Sequence, residues 1–66
     1  MAESKYKFDD PKAAFAEAEK RIQHALKTGA KELNLSGLGL TELPESLGQL
    51  TELVQLFLGY NRLKIL

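Results

Sequence analysis

The chain has no cysteine, a single histidine and no excess of either charge. Without cysteine there is no disulfide framework, no thiolate nucleophile and no sulfur-ligated metal, and nothing argues for an oxidising compartment. One histidine leaves metal coordination or acid/base chemistry short of a second ligand. Nine Lys and Arg balance nine Asp and Glu, so no whole-molecule field draws the protein to nucleic acid or to an anionic membrane. The halves differ slightly, seven basic against five acidic residues over 1–31 and two against four over 32–66, a split too small to name a ligand. Long hydrophobic runs are also missing, and residues 1–10 are polar where a secretion signal would be apolar. The expectation is a cytoplasmic protein that neither spans a membrane nor binds nucleic acid.

What is present is small. A chain of 66 residues buries only about 60% of the surface its unfolded form exposes, so its stability is marginal. Small scaffolds add disulfides, a metal or a partner chain, and the first two routes are closed here.

Residues 1–10 form a polar arm, with Tyr6 and Phe8 among lysines and acids, that either frays or packs back on the helix after it. Asp9-Asp10-Pro11 is a helix start: Asp10 suits the N-cap and Pro11 the first helical position. The apolar residues Ala14, Phe15, Ala18, Ile22, Ala25 and Leu26 then recur with helical spacing, which predicts an amphipathic helix over 11–29 ended by Gly29. Glu17 precedes Arg21 by four residues, a supporting pair on the outer side.

Beyond Gly29 the leucines fall at 33, 35, 38, 40, 43, 47, 50, 53, 56, 58, 63 and 66. Sliding the chain on itself by 23 sets Leu33 on Leu56, Leu35 on Leu58, Leu40 on Leu63 and Leu43 on Leu66, an internal repeat. Residues 30–52 make the first repeat, and 53–66 an incomplete second. Leu53, Leu56, Leu58, Asn61 and Leu63 resemble the leucine-rich-repeat pattern L-x-x-L-x-L-x-x-N-x-L at every fixed position. The first repeat departs twice, with Ala30 for the first leucine and Leu38 for the asparagine. Thr41 to Leu50 looks like the return segment of the family's 23-residue bacterial type, found beside Roco-type GTPases.

The resemblance implies an α/β fold: a leucine-rich-repeat solenoid fragment with an N-terminal cap helix, two short parallel strands and a convex return segment. Residues 32–36 would pair with 55–59 on the concave side, with Leu33 and Leu35 turned to the core and Glu32, Asn34 and Ser36 to the surface. The Asn61 amide would satisfy backbone groups between repeats, and Leu38 would bury against the cap helix. Phe15, Ala18, Ile22 and Leu26 would cover the start of the repeat core.

No catalytic constellation emerges, and no cofactor or metal is expected. His24 falls off the apolar stripe and reads as a solvated residue. Asp9 and Asp10 read as capping residues. Gly37, Gly39 and Gly48 lack the lysine of a phosphate loop and read as turn glycines. Ser36, Ser46 and Thr51 have no neighbouring base. Asn34-Leu35-Ser36 fits a glycosylation sequon by chance.

The candidate sites are for protein. Glu32, Asn34, Ser36, Gln55, Phe57 and Tyr60 would face a polypeptide, with the two aromatics as anchors. Leu56, Leu58, Leu63, Ile65 and Leu66 have no following repeat to cover them, since the sequence stops where the first repeat goes on to Pro44. A solenoid normally needs three repeats and a polar cap, so the expected state is a homodimer, joined edge to edge at 55–59 or by exchange of segments between chains. Loss of the Gln55 amide should break that edge. The alternative is the start of a larger regulatory protein, for example a repeat domain attached to a GTPase.

Overall fold

The computed structural model describes residues 6–63. It contains one α-helix, α1 (Pro11–Thr28), and two strands, β1 (Glu32–Asn34) and β2 (Gln55–Phe57), separated by a 3-10 turn at Glu45–Gln49.

Helix α1 is bounded by the residues expected to bound it. The Asp10 carboxylate accepts the Lys12 N–H at 2.9 Å and Pro11 opens the helix. At the other end Gly29 turns left-handed (φ 65), and the amides of Gly29 and Ala30 both donate to Ala25 O, closing the last turn. Ala14, Ala18, Ile22 and Ala25 are its buried line, and three alanines let the helix axis lie close to the leucine layer. Leu26 departs from the expectation: it is 42% exposed. One residue past Ala25 is about 100° further round the helix, and Ala25 already holds the core-facing position.

β1 and β2 are parallel neighbours in a two-stranded sheet, with Glu32 opposite Gln55, Leu33 opposite Leu56 and Asn34 opposite Phe57. Each pair is separated by the 23 residues of the sequence repeat. The regular strands are shorter than 32–36 and 55–59, but the ladder runs on through Leu35 N–H to Phe57 O (2.8 Å) and Gly37 N–H to Gly59 O (2.9 Å). Parallel strands need a crossover, and residues 35–54 with their 3-10 turn supply it. Gly48 belongs to that 3-10 turn, while Gly37 and Gly39 hold positive φ in the turn after β1.

The core lies between α1 and the first repeat, where Ile22, Leu35, Leu38 and Leu40 are fully buried and Leu33 nearly so. Phe8, Phe15, Leu43, Leu47 and Leu50 pack around them. Leu38, standing where the second repeat has Asn61, is 1% exposed in the same cluster as Ala14, Ala18 and Ile22. The arm packs back on the fold: Lys7 N–H donates to Gly37 O (2.7 Å) and Phe8 N–H to Leu38 O (3.2 Å), while the Phe8 side chain packs against the cluster that holds Ala14, Ala18 and Ile22 of α1. Gly39 permits this approach, because its φ is +94 and a Cβ there would stand 2.6 Å from Phe8 O.

Candidate binding surface

The sheet has one face on the core and one in solvent. On the solvent face Glu32, Asn34, Gln55 and Phe57 stand in two ranks set by the strand register. Phe57 is 45% exposed and Tyr60, beyond the end of β2, is 81% exposed. Together with Asn34 and Ser36 they border an open hollow of about 420 Å³. The polar members are not equally available. Asn34 Oδ1 accepts both the Ser36 amide, at 2.9 Å, and the Ser36 hydroxyl, and Ser36 is half-buried. These two shape the turn, whereas Glu32, Gln55, Phe57 and Tyr60 are exposed.

Tyr60 carries a feature beyond exposure. Its φ is +57, the left-handed region, and it is the only non-glycine with positive φ among the described residues. The equivalent position 23 residues earlier is Gly37, at φ +72. The same turn therefore uses glycine in the first repeat and tyrosine in the second, where the side chain costs about 1–2 kcal/mol. Overlaying the repeats would have disclosed the pairing of Gly37 with Tyr60 from sequence.

Asn61 joins the repeats. Its Oδ1 accepts the amides of Gly39 and Leu40, both at 2.9 Å, and its Nδ2 donates to Leu35 O (2.8 Å) and Leu58 O (3.0 Å). One side chain thus satisfies backbone groups of both turns, as expected of that position. Its neighbour Arg62 reaches further back: the guanidinium lies 5.0 Å from the Tyr6 ring centroid and donates to Asp9 O at 3.1 Å, strapping the arm to the second repeat. No sequence pattern pointed to that contact.

The two edges of the sheet differ. Arg21, from α1, donates through Nη1 to Asn34 O at 2.7 Å on the outer edge of β1, and through Nε to Glu17 at 2.9 Å. That hydrogen bond, then the Arg21, Lys20 and Lys7 charges, hold the Glu17 carboxyl below its ordinary value against the opposing effect of desolvation. Among the described residues no strand pairs with the outer edge of β2. Beside it Val54 is 76% and Leu56 37% exposed, while Leu58 and Leu63 are half-buried against the core. Ile65 and Leu66 lie outside the described residues. The Gln55 amide does not face outward: it donates to Lys31 O at 3.0 Å, so the edge amide is that of Leu56.

The residues read as incidental remain apart. His24 is exposed beside a second hollow, of about 420 Å³, between α1 and β1, with Glu17, Lys20, Arg21 and Glu32 on its rim. Among the described residues no cluster of three or more His, Asp or Glu side chains could hold a metal, and no helix is long and apolar enough to cross a membrane. Comparison with protein-family models, curated proteins and solved structures gives no match.

Proposed function

We infer that the chain is a non-catalytic protein-interaction module of the leucine-rich-repeat type, and that a partner polypeptide docks at the open end of its second repeat. One observation carries this reading: Leu33 and Leu56 occupy the same place in register, yet Leu33 is 6% and Leu56 37% exposed. The first repeat has a layer on each side; the second offers an apolar layer and a strand edge that no strand among the described residues pairs. A leucine gains about 1.5–3 kcal/mol from full burial, so the open end favours association.

Covering the end tests the reading. A chain extended after Leu66 by copies of residues 44–52 and then 30–52 supplies a further repeat in register. It should unfold at a higher temperature than the parent and, in dilute solution, protect the Leu56 amide from exchange. An unchanged midpoint would show that the Leu56 face does not accept a repeat layer, and the reading would fail.

A second reading, in which the solvent face of the sheet grips an extended polypeptide on behalf of a larger regulatory protein, is favoured by Tyr60. Strain retained at an exposed aromatic is a mark of functional sites. Changing Phe57 and Tyr60 together to Ser should leave the fold intact and abolish binding of such a ligand, whereas loss of secondary structure at all concentrations would assign the aromatics to the core.

A further inference from the structure

Building on the open-end reading, we propose that the partner is a second molecule of this chain, joined by antiparallel pairing of the two β2 strands about a two-fold axis through Leu56. The backbone groups left free at the edge select that register. Gln55 N–H donates to Lys31 O and Leu35 N–H to Phe57 O, so residues 55 and 57 face β1 and residue 56 faces out. Peptide planarity sets each C=O opposite the following N–H, which turns the Val54 and Leu56 carbonyls outward. Two further groups that could have joined the edge are taken. Val54 N–H donates to Lys31 O (2.6 Å), and Leu58 O accepts from Asn61 Nδ2 (3.0 Å).

What remains without a partner among the described residues is Leu56 N–H and C=O, Leu58 N–H and Val54 C=O. A two-fold axis at Leu56 uses all four: the two Leu56 residues exchange both of their bonds, and each Leu58 N–H meets the Val54 carbonyl of the other molecule. The two groups already committed inside the chain, Val54 N–H and Leu58 O, are those that this register would set against each other, so nothing is displaced. Other centres fit worse. An axis at Leu58 brings Tyr60 into the ladder, where its left-handed φ of 57 turns the chain out of the strand. An axis at Val54 relies on an amide bound to Lys31.

Side chains agree with the backbone. Val54, Gln55, Leu56, Phe57 and Leu58 alternate symmetrically about Leu56, so the two-fold sets Val54 on Leu58 and Leu56 on Leu56 at the core face, and Gln55 on Phe57 at the solvent face. This accounts for an exposed valine next to the strand. Residues 53–60 carry no charge and no proline, so two molecules meet here without like-charge repulsion, and a charged partner finds no counter-charge on the strand. The isologous contact closes as a pair.

The chain lacks cysteine, which makes single-cysteine variants clean probes. Gln55 and Phe57 would be a non-hydrogen-bonded pair with Cα atoms about 4.5 Å apart, within disulfide reach. The unmodified protein should sediment at twice 7.3 kDa at micromolar concentration. On mild oxidation, an equimolar mixture of Gln55→Cys and Phe57→Cys chains should give several-fold more covalent dimer than either variant alone. Should a variant misfold, amide exchange on the unmodified chain decides: Leu56 and Leu58 amides should slow at least tenfold between dilute and concentrated samples, with Gln55 and Phe57 unchanged. A dimer without preferential cross-linking or without that exchange pattern overturns the register, and open-ended assemblies overturn the two-fold. A species that stays at 7.3 kDa overturns self-association while leaving the open-end reading to the extended-chain experiment.

Discussion

The two repeats have nearly the same leucine pattern and very different interiors. Leu33 is 6% exposed and Leu35 and Leu40 fully buried, while their counterparts are Leu56 at 37% and Leu58 and Leu63 half-buried. Pattern therefore decides which way a side chain points, and neighbours decide how far it is buried. The first repeat is closed on one side by α1 and the arm and on the other by the second repeat. Among the described residues the second has only the first beneath it. The edges repeat the lesson: Arg21 covers the β1 edge at Asn34 O, and among the described residues no strand pairs with the β2 edge.

The harshest way to break the closed side is Ile22→Asp. Ile22 is fully buried among alanines and leucines, with no cation in its cluster to receive a carboxylate. An unpaired buried charge costs about 4–5 kcal/mol or more, comparable with the whole stability of a domain this size. The variant should lack helical circular dichroism at 25 °C. A cooperative thermal transition like the parent's would mean that α1 is not packed as described.

A matched pair of truncations sharpens the contrast directly. Leu33→Ala should cost about 2–5 kcal/mol, as for other buried leucines. In dilute solution Leu56→Ala should cost about 1 kcal/mol or less, since much of its side chain already meets water. Urea unfolding of both variants at low concentration checks this, and equal losses would mean that the second repeat is as closed as the first. If two molecules join through this face as proposed, the gap should narrow at high concentration, where Leu56 would gain cover.

Much of this was legible in the sequence. The helix limits followed from Asp10, Pro11 and Gly29, residues whose local chemistry acts whatever surrounds them. Register followed from the 23-residue spacing, and Asn61 behaved as its place in the repeat implied. What the sequence hid depends on three dimensions. Leu26 is apolar and near the stripe, yet the helix turns it aside because Ala25 fills the core-facing place. The outward amide is Leu56's and not Gln55's, since strand polarity is fixed only once the partner strand is known. The arm's docking rests on Gly39, which reads from sequence as one turn glycine among several. The Arg62 contacts to Asp9 and Tyr6 link residues far apart in the chain and leave no pattern at all.

Tyr60→Gly tests the turn on the open side. Giving the second repeat the residue of the first should relieve left-handed strain and raise stability by about 1 kcal/mol. Removing an 81%-exposed ring loses little packing in return. If the ring belongs to the binding surface, the same change weakens association or ligand capture, so stability and binding move in opposite directions. A fall in stability would mean that the ring packs against the fold despite its exposure.

The smallest effect concerns the edge that is closed. Glu17 holds the Arg21 guanidinium that reaches Asn34 O, and the Arg21 hydrogen bond and charge keep the Glu17 carboxyl below its ordinary value of 4.5. A folded-state value below the unfolded one means that the carboxylate favours the fold at pH above the unfolded value. That contribution fades as pH falls through the folded value, when Glu17 takes up its proton. The difference in thermal midpoint between the parent and Glu17→Gln should accordingly be constant from about pH 6 to 7 and shrink towards zero as the solution is acidified below about pH 4.5. The pair is solvent-accessible, so salt should diminish the difference as well. Carboxyl chemical shifts would follow the titration of Glu17 itself. Over the same acid range, amides of β1 should exchange faster relative to those of β2, because the arginine that shields only the β1 edge loses its anchor. If Glu17 titrates at its ordinary value, or the two strands respond alike, the ion pair does not close that edge.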